Sequence, residues 1–147
     1  MRRFTMCTTV ALVMLTGVVA LGQMKITTME EYAKLMKSNA QANGAMNKAL
    51  GSGAYADARM QLTTLRQNYM SLEAFWTERK QGDAIAIVKD GMMRLAALEK
   101  MLAMANVDQM AAQATAKQFG GSTCGACHKA YREGSNDTGF RFREGVF

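Results

Sequence analysis

Between Tyr55 and Trp76 the apolar residues Tyr55, Ala58, Leu62, Leu65, Tyr69, Leu72 and Trp76 recur in alternating steps of three and four. That spacing predicts one long helix with a single buried stripe. Three other stretches follow the same rule. Thr28, with Glu31 three residues on, is a capping box that starts a helix expected to reach about Leu50. Its apolar side takes Met29, Tyr32 or Ala33, Met36, Ala40 and Met46, and Gly51-Ser52-Gly53 breaks it. Beyond Gly82, Asp83 is the expected N-cap of a helix carrying Ile85, Val88, Met92, Leu95 and Leu102. Asn106 is the expected cap of a last helix, with Met110, Ala114, Lys117, Gly121, Cys124, His128 and Tyr131 facing inward. Four amphipathic helices joined by short connections alternate in direction around a shared core, so the expected fold is all-α, an antiparallel four-helix bundle.

Composition agrees with helices. The 147 residues include no Pro, 14 Met and few aromatic side chains, which favours uninterrupted helix over sheet. The N-terminus changes the picture. Arg2-Arg3 precede an apolar stretch from Val10 to Leu21, and Ala20 and Gly22 are small residues at the positions a signal peptidase reads. A secretory signal peptide is expected at 1–22, cleaved near Gln23, because Thr5, Thr8, Thr9 and Thr16 dilute the stretch below what a membrane span needs. Cys7 leaves with it. The expected domain then covers 23–133, and the tail 134–147 is expected to be irregular, with Phe140 and Phe142 near a hydrophobic edge. The net charge of +6 falls by two with Arg2 and Arg3. The remaining Lys and Arg are scattered, which argues for a solvated surface and against a nucleic-acid partner. No membrane association is expected once the signal is gone.

The chemistry concentrates in Cys124-Gly125-Ala126-Cys127-His128. On a helix the two thiols project from neighbouring positions and the imidazole follows within reach of a metal they flank. Cys-x-x-Cys-His reads as covalent attachment of one haem c: the thiols become thioethers and His128 gives iron its proximal nitrogen. A thiol-disulfide centre would need a strand-helix setting that is not visible here. A structural zinc would lack its fourth ligand. Gly120-Gly121, one turn upstream, suits either clearance for a porphyrin or a break between helices. No nucleophile-base pair accompanies the single His, so no enzymatic activity is expected. Haem of this type is attached outside the bacterial cytoplasm, which agrees with a periplasmic destination.

These residues carry a resemblance. Gly121, Cys124, Cys127, His128 and the following Tyr131-Arg132 are similar to the C-terminal motif of the class II c-type cytochromes. That family comprises cytochrome c′ and its low-spin relatives of the cytochrome c-556 type. The likeness spans about 28–133 and is strongest around the motif. It implies a four-helix bundle with haem on the C-terminal helix, an Arg such as Arg132 beside the imidazole, and homodimers through the first two helices. It also implies a distal residue on the first helix. Met36, followed by Lys37, occupies the place where low-spin members carry a ligating Met. Tyr32 departs from the basic residue found one turn earlier in cytochrome c′, and a register shift of one would bring Leu35 there instead. His128 is the only histidine, so a second His from the same chain is excluded. A thioether suits an electron-transfer iron in an apolar site, and Met29 and Met46 are weaker alternatives to Met36. The expected function is a periplasmic monohaem cytochrome carrying single electrons between redox protein partners. The rival expectation is an iron open on one face that binds nitric oxide or carbon monoxide. Trp76 and Phe75 are expected to be core or to wall the haem.

Overall fold

The computed structural model of the chain describes residues 25–135 and 139–146. The expected signal peptide, its cleavage site and Cys7 lie outside the described residues. The chain is mostly helical. Helix α1 spans Met29–Ser52, α2 Tyr55–Glu78, α3 Gly82–Leu102, α4 Gln109–Gln118 and α5 Ala126–Tyr131, with a π-helical turn, Phe119–Gly125, between the last two. Strands β1 (Arg132–Ser135) and β2 (Gly139–Phe142) complete it. Among the described residues no helix is long and apolar enough to cross a membrane.

The caps explain the boundaries. The Thr28 hydroxyl accepts from the Glu31 amide while the Glu31 carboxylate accepts from the Thr28 amide, so the expected capping box starts α1. Gly53, at φ 73°, takes the left-handed conformation that ends it, where a side chain would be strained. Two starts differ from expectation. Asp108, not Asn106, caps α4 by accepting from the Ala111 amide. Helix α3 begins at Gly82, with Asp83 already inside its first turn and bonded to the Ala84 amide.

Helix α2 buries the expected stripe: Ala58, Leu62, Leu65, Tyr69, Leu72 and Trp76, to which Ser71 and Phe75 add a flank. It packs on α1 on one side and α3 on the other; α3 meets α4, the π turn and α5, and α1 meets α4. On α3 the expected Val88, Leu95 and Leu102 are buried, joined by Ala84, Gly91 and Leu98. Gly91 is a close-approach position. A Cβ there would lie 2.6 Å from both the Tyr69 ring and the Thr123 methyl, so α2, α3 and the π turn meet only because this residue is glycine.

The last helical run departs from its expected face. Backbone dihedrals stay right-handed helical through Gln118, Phe119, Gly125 and Ala126, so α4, the π turn and α5 form one continuous run. Its buried residues are Ala112, Ala116, Phe119, Thr123 and Tyr131, whereas Met110, Ala114, Lys117 and Gly121 face solvent. A π turn closes hydrogen bonds to the fifth residue instead of the fourth, which shifts the phase of everything before it relative to everything after. A stripe counted backwards from His128 at α-helical spacing therefore lands on the wrong side of α4.

Part of the tail is a hairpin instead of irregular chain, while 143–146 lie outside helix and strand. The β1–β2 hairpin pairs Arg132 with Phe142, Glu133 with Arg141, Gly134 with Phe140 and Ser135 with Gly139. Gly134, at φ 96°, makes the tight pairing possible. Phe142 leaves solvent for a cluster in which its ring centroid lies 4.7 Å from Tyr32 and 5.7 Å from Trp76. That burial is the physical reason the tail does not fray.

Candidate functional site

Helix α1 has two apolar faces, and only one enters the core. Leu35, Asn39, Ala42, Met46, Ala49 and Leu50 are buried. Of the stripe expected on α1, only Met46 lies there. Met29, Tyr32, Ala33, Met36 and Ala40 sit one position around the helix and border open space instead. Across that space stand Cys127 and His128 on α5.

Two adjoining cavities fill the gap, of about 290 Å³ and about 310 Å³. Met36, Ala40, Cys127 and His128 line both. The first extends toward Met29, Tyr32, Tyr131, Arg132 and the hairpin residues Phe140, Arg141 and Phe142. The second extends toward Asn43, Gly44, Tyr69, Leu72, Val88 and Cys124. Each is of the size that holds a small ligand or part of a cofactor, and the walls are mainly apolar. Small residues on α1, Ala33, Ala40 and Gly44, leave the floor of the cleft low.

The structure thus brings together the four residues singled out in the sequence, Met36, Cys124, Cys127 and His128, around one cleft. It separates them from the alternatives. Leu35 and Met46 are 1% and 0% exposed in the core and border neither cavity, while Met29 lines only the first. Trp76 and Phe75 are buried in the core and line neither cavity.

Burial holds the Cys127 thiol and the His128 imidazole in their neutral forms. Burial pushes the Cys127 thiol up to about 11, with Cys124 and Asp83 adding to the shift. A dithiol built for exchange has the opposite bias, toward thiolate. Burial, aided by the Arg132 guanidinium, lowers the His128 pKa and keeps its imidazole neutral, the form that binds metal. Cys124 Sγ and the Tyr69 hydroxyl lie 3.5 Å apart in a hydrogen bond. Burial, then Cys124, raises the pKa of that phenol, so it stays protonated. Among the described residues no three His, Cys, Asp or Glu side chains converge as a small-ion site would need.

Supporting contacts hold the motif segment in place. Thr123, 1% exposed, reaches the Asp90 carboxylate at 3.5 Å, and Arg94 donates to the same carboxylate at 2.7 Å. Neither Gly91 nor Thr123 was marked by periodicity, because each acts through close approach and not through hydrophobicity. Gly120 and Gly121 border neither cavity; a Cβ on Gly121 would meet nothing within 4 Å, and one on Gly120 would make an ordinary contact with Asn43. They open the π turn instead of breaking the run. The hairpin residues of the first cavity did leave a signal, since Phe140 and Phe142 alternate at a period of two within Gly139–Phe142. The chain matches no known family model, no characterised protein and no solved structure.

Proposed function

We propose that this protein is a periplasmic monohaem c-type cytochrome of the class II kind, an antiparallel four-helix bundle that carries single electrons. Cys124 and Cys127 would hold the haem through thioethers made from their two free thiols, and His128 and Met36 would supply the iron's protein ligands. The observation that carries this reading is that Met36 on α1 and Cys127-His128 on α5 line the same two cavities from opposite sides.

The residues fit the group. Two free thiols and a neutral imidazole stand on consecutive helical turns at the edge of an apolar cleft whose opposite wall carries a thioether. Bound haem supplies a one-electron iron couple. The chain's own contribution is to fix and dry that couple. Met36 and His128 belong to different helices, α1 packed on α2 and α4 and α5 on α3 and the π turn, so neither approaches the other freely. Ala33, Ala40 and Gly44 admit a flat ring system against α1. Tyr32, Leu72 and Val88 line the cleft with surface that would keep water from the group, and Arg132 beside His128 would favour the less positive, reduced state.

The absorption spectrum of the ferric protein tests the assignment. Thioether ligation predicts a low-spin spectrum with a weak far-red sulfur-to-iron band, and Met36→Leu should abolish the band with less than about 1.5 kcal/mol change in stability. A wild type that is already high-spin would remove Met36 from the ligand set and favour the gas-binding alternative. In that case carbon monoxide would bind the reduced protein rapidly and completely.

A further inference from the structure

The two halves of the cleft are closed differently. Among the described residues the second cavity is bordered by helices and the π turn alone, whereas the first is bordered on its outer side by Phe140, Arg141 and Phe142. We propose that the β1–β2 hairpin is a strap that closes the Cys127 side of the cofactor cleft against solvent, with Phe142 as the positioning residue that holds it down.

The strap is fastened at both ends. Strand β1 starts at Arg132, four residues after His128, so it leaves directly from the helix that carries the imidazole. The returning chain is tied to the same helix: the Arg143 amide donates to the Tyr131 carbonyl at 2.9 Å, and the Arg143 guanidinium donates to the Lys129 carbonyl at 3.1 Å. Between these points Phe142 crosses to α1 and α2, with its ring 4.7 Å from Tyr32 and 5.7 Å from Trp76. The hairpin therefore spans from α5 to α1 over the mouth of the first cavity. Phe140 continues the cover outward. Its ring is 50% exposed on one side, lines the cavity on the other, and carries the Arg132 guanidinium 3.9 Å from its centroid.

Cys127 borders both cavities and Cys124 only the second, which gives an internal control. In the reduced, haem-free full chain, alkylation of the two thiols by iodoacetamide at one fixed pH is followed by peptide mass spectrometry. Ending the chain after Ser135 should raise the Cys127-to-Cys124 rate ratio about tenfold, and Phe142→Ala about threefold, because thiol reactivity follows exposure and local opening. A ratio unchanged within about twofold in both, with helical circular dichroism retained, overturns the strap. Should the shortened chain lose its helical signal, Phe140→Ala decides instead: its ring is half exposed, and a risen or constant ratio supports or overturns the proposal. The consequence for the cofactor rests on the haem reading. In haem-loaded protein the same truncation should speed binding of added imidazole to the ferric form and lower the reduction potential, since solvent exposure sets both. If haem is never incorporated, that reading fails while the thiol ratio still reports on the strap.

Discussion

Helix α2 and the run from Gln109 to Tyr131 are of similar length, yet they hold their places by different means. In α2 the side chains Leu62, Leu65 and Trp76 are 1%, 0% and 0% exposed, and an unbroken α-helical period puts all of them on one side. The Gln109–Tyr131 run buries the small residues Ala112, Ala116 and Thr123 beside the larger Phe119 and Tyr131, and changes pitch at Phe119–Gly125. The first region is held by hydrophobic area alone, whereas the second adds close approach at Gly91 and a π turn that rotates Cys127 and His128 toward α1. Stability and function are thereby divided between parts of one core. Mutations at α2 positions that border neither cavity, such as Leu62 and Leu65, should cost stability with little effect on the site, and mutations at the motif end of the run should do the reverse.

The largest effect is expected from inserting one Ala after Gly121. The π turn already absorbs one residue beyond the α-helical count, so a second extra residue rotates the segment after it by about 100° relative to α4. Helical circular dichroism should persist while Cys127 and His128 leave the cleft and the low-spin spectrum is lost. An unaltered spectrum would show that the pitch change does not aim the motif. Next is Leu65→Ala in α2, which should cost about 2–5 kcal/mol in denaturant unfolding because it opens a cavity in a closed core. The spectrum of the folded protein should not change. Gly91→Ala lies at the contact between the two regions. Its Cβ falls 2.6 Å from the Tyr69 ring and the Thr123 methyl, so a cost of about 1–3 kcal/mol is expected, with a small spectral shift as Thr123 is pushed.

The division also explains what could be read from the sequence. Residues 55–76 announce themselves because burial there is wholly hydrophobic and the period is constant, so all seven marked positions are buried or half-buried. The motif Cys124-Cys127-His128 stands out by residue type and spacing, independent of the face it occupies, and its three side chains line the cleft. The face of α4 was not legible. Counting at 3.6 residues per turn through Phe119–Gly125 selects Met110, which is 81% exposed, and passes over Ala112 and Ala116, both at 0%. On α1 the stripe through Met29, Tyr32, Met36 and Ala40 is a real apolar face, but sequence alone does not distinguish a face that meets core from one that meets a cleft. The hairpin was hidden by its Gly, Ser, Asn and Asp content, although the alternation of Phe140 and Phe142 pointed to a strand.

The smallest effect is at the entry to α1, away from both regions. Thr28→Ala should cost about 1 kcal/mol in thermal or denaturant unfolding and leave the spectrum intact. The same cap gives a pH signature. Hydrogen bonds from the Thr27 amide and hydroxyl and from the Thr28 amide hold the Glu31 pKa below its ordinary 4.5 in the folded chain. Its contribution to stability is complete above that unfolded value and is lost as pH falls through the lower folded one. Glu31→Gln should flatten this part of the stability profile; an unchanged profile would mean that the cap does not form.

The decisive measurement is the intact mass and absorption spectrum of the protein exported from cells that carry a c-type haem attachment system. One covalently bound haem, retained after acid-acetone extraction and lost when Cys124 and Cys127 are both replaced by Ala, is the expected result. A colourless protein at the mass of the bare polypeptide, made under those conditions, would contradict it.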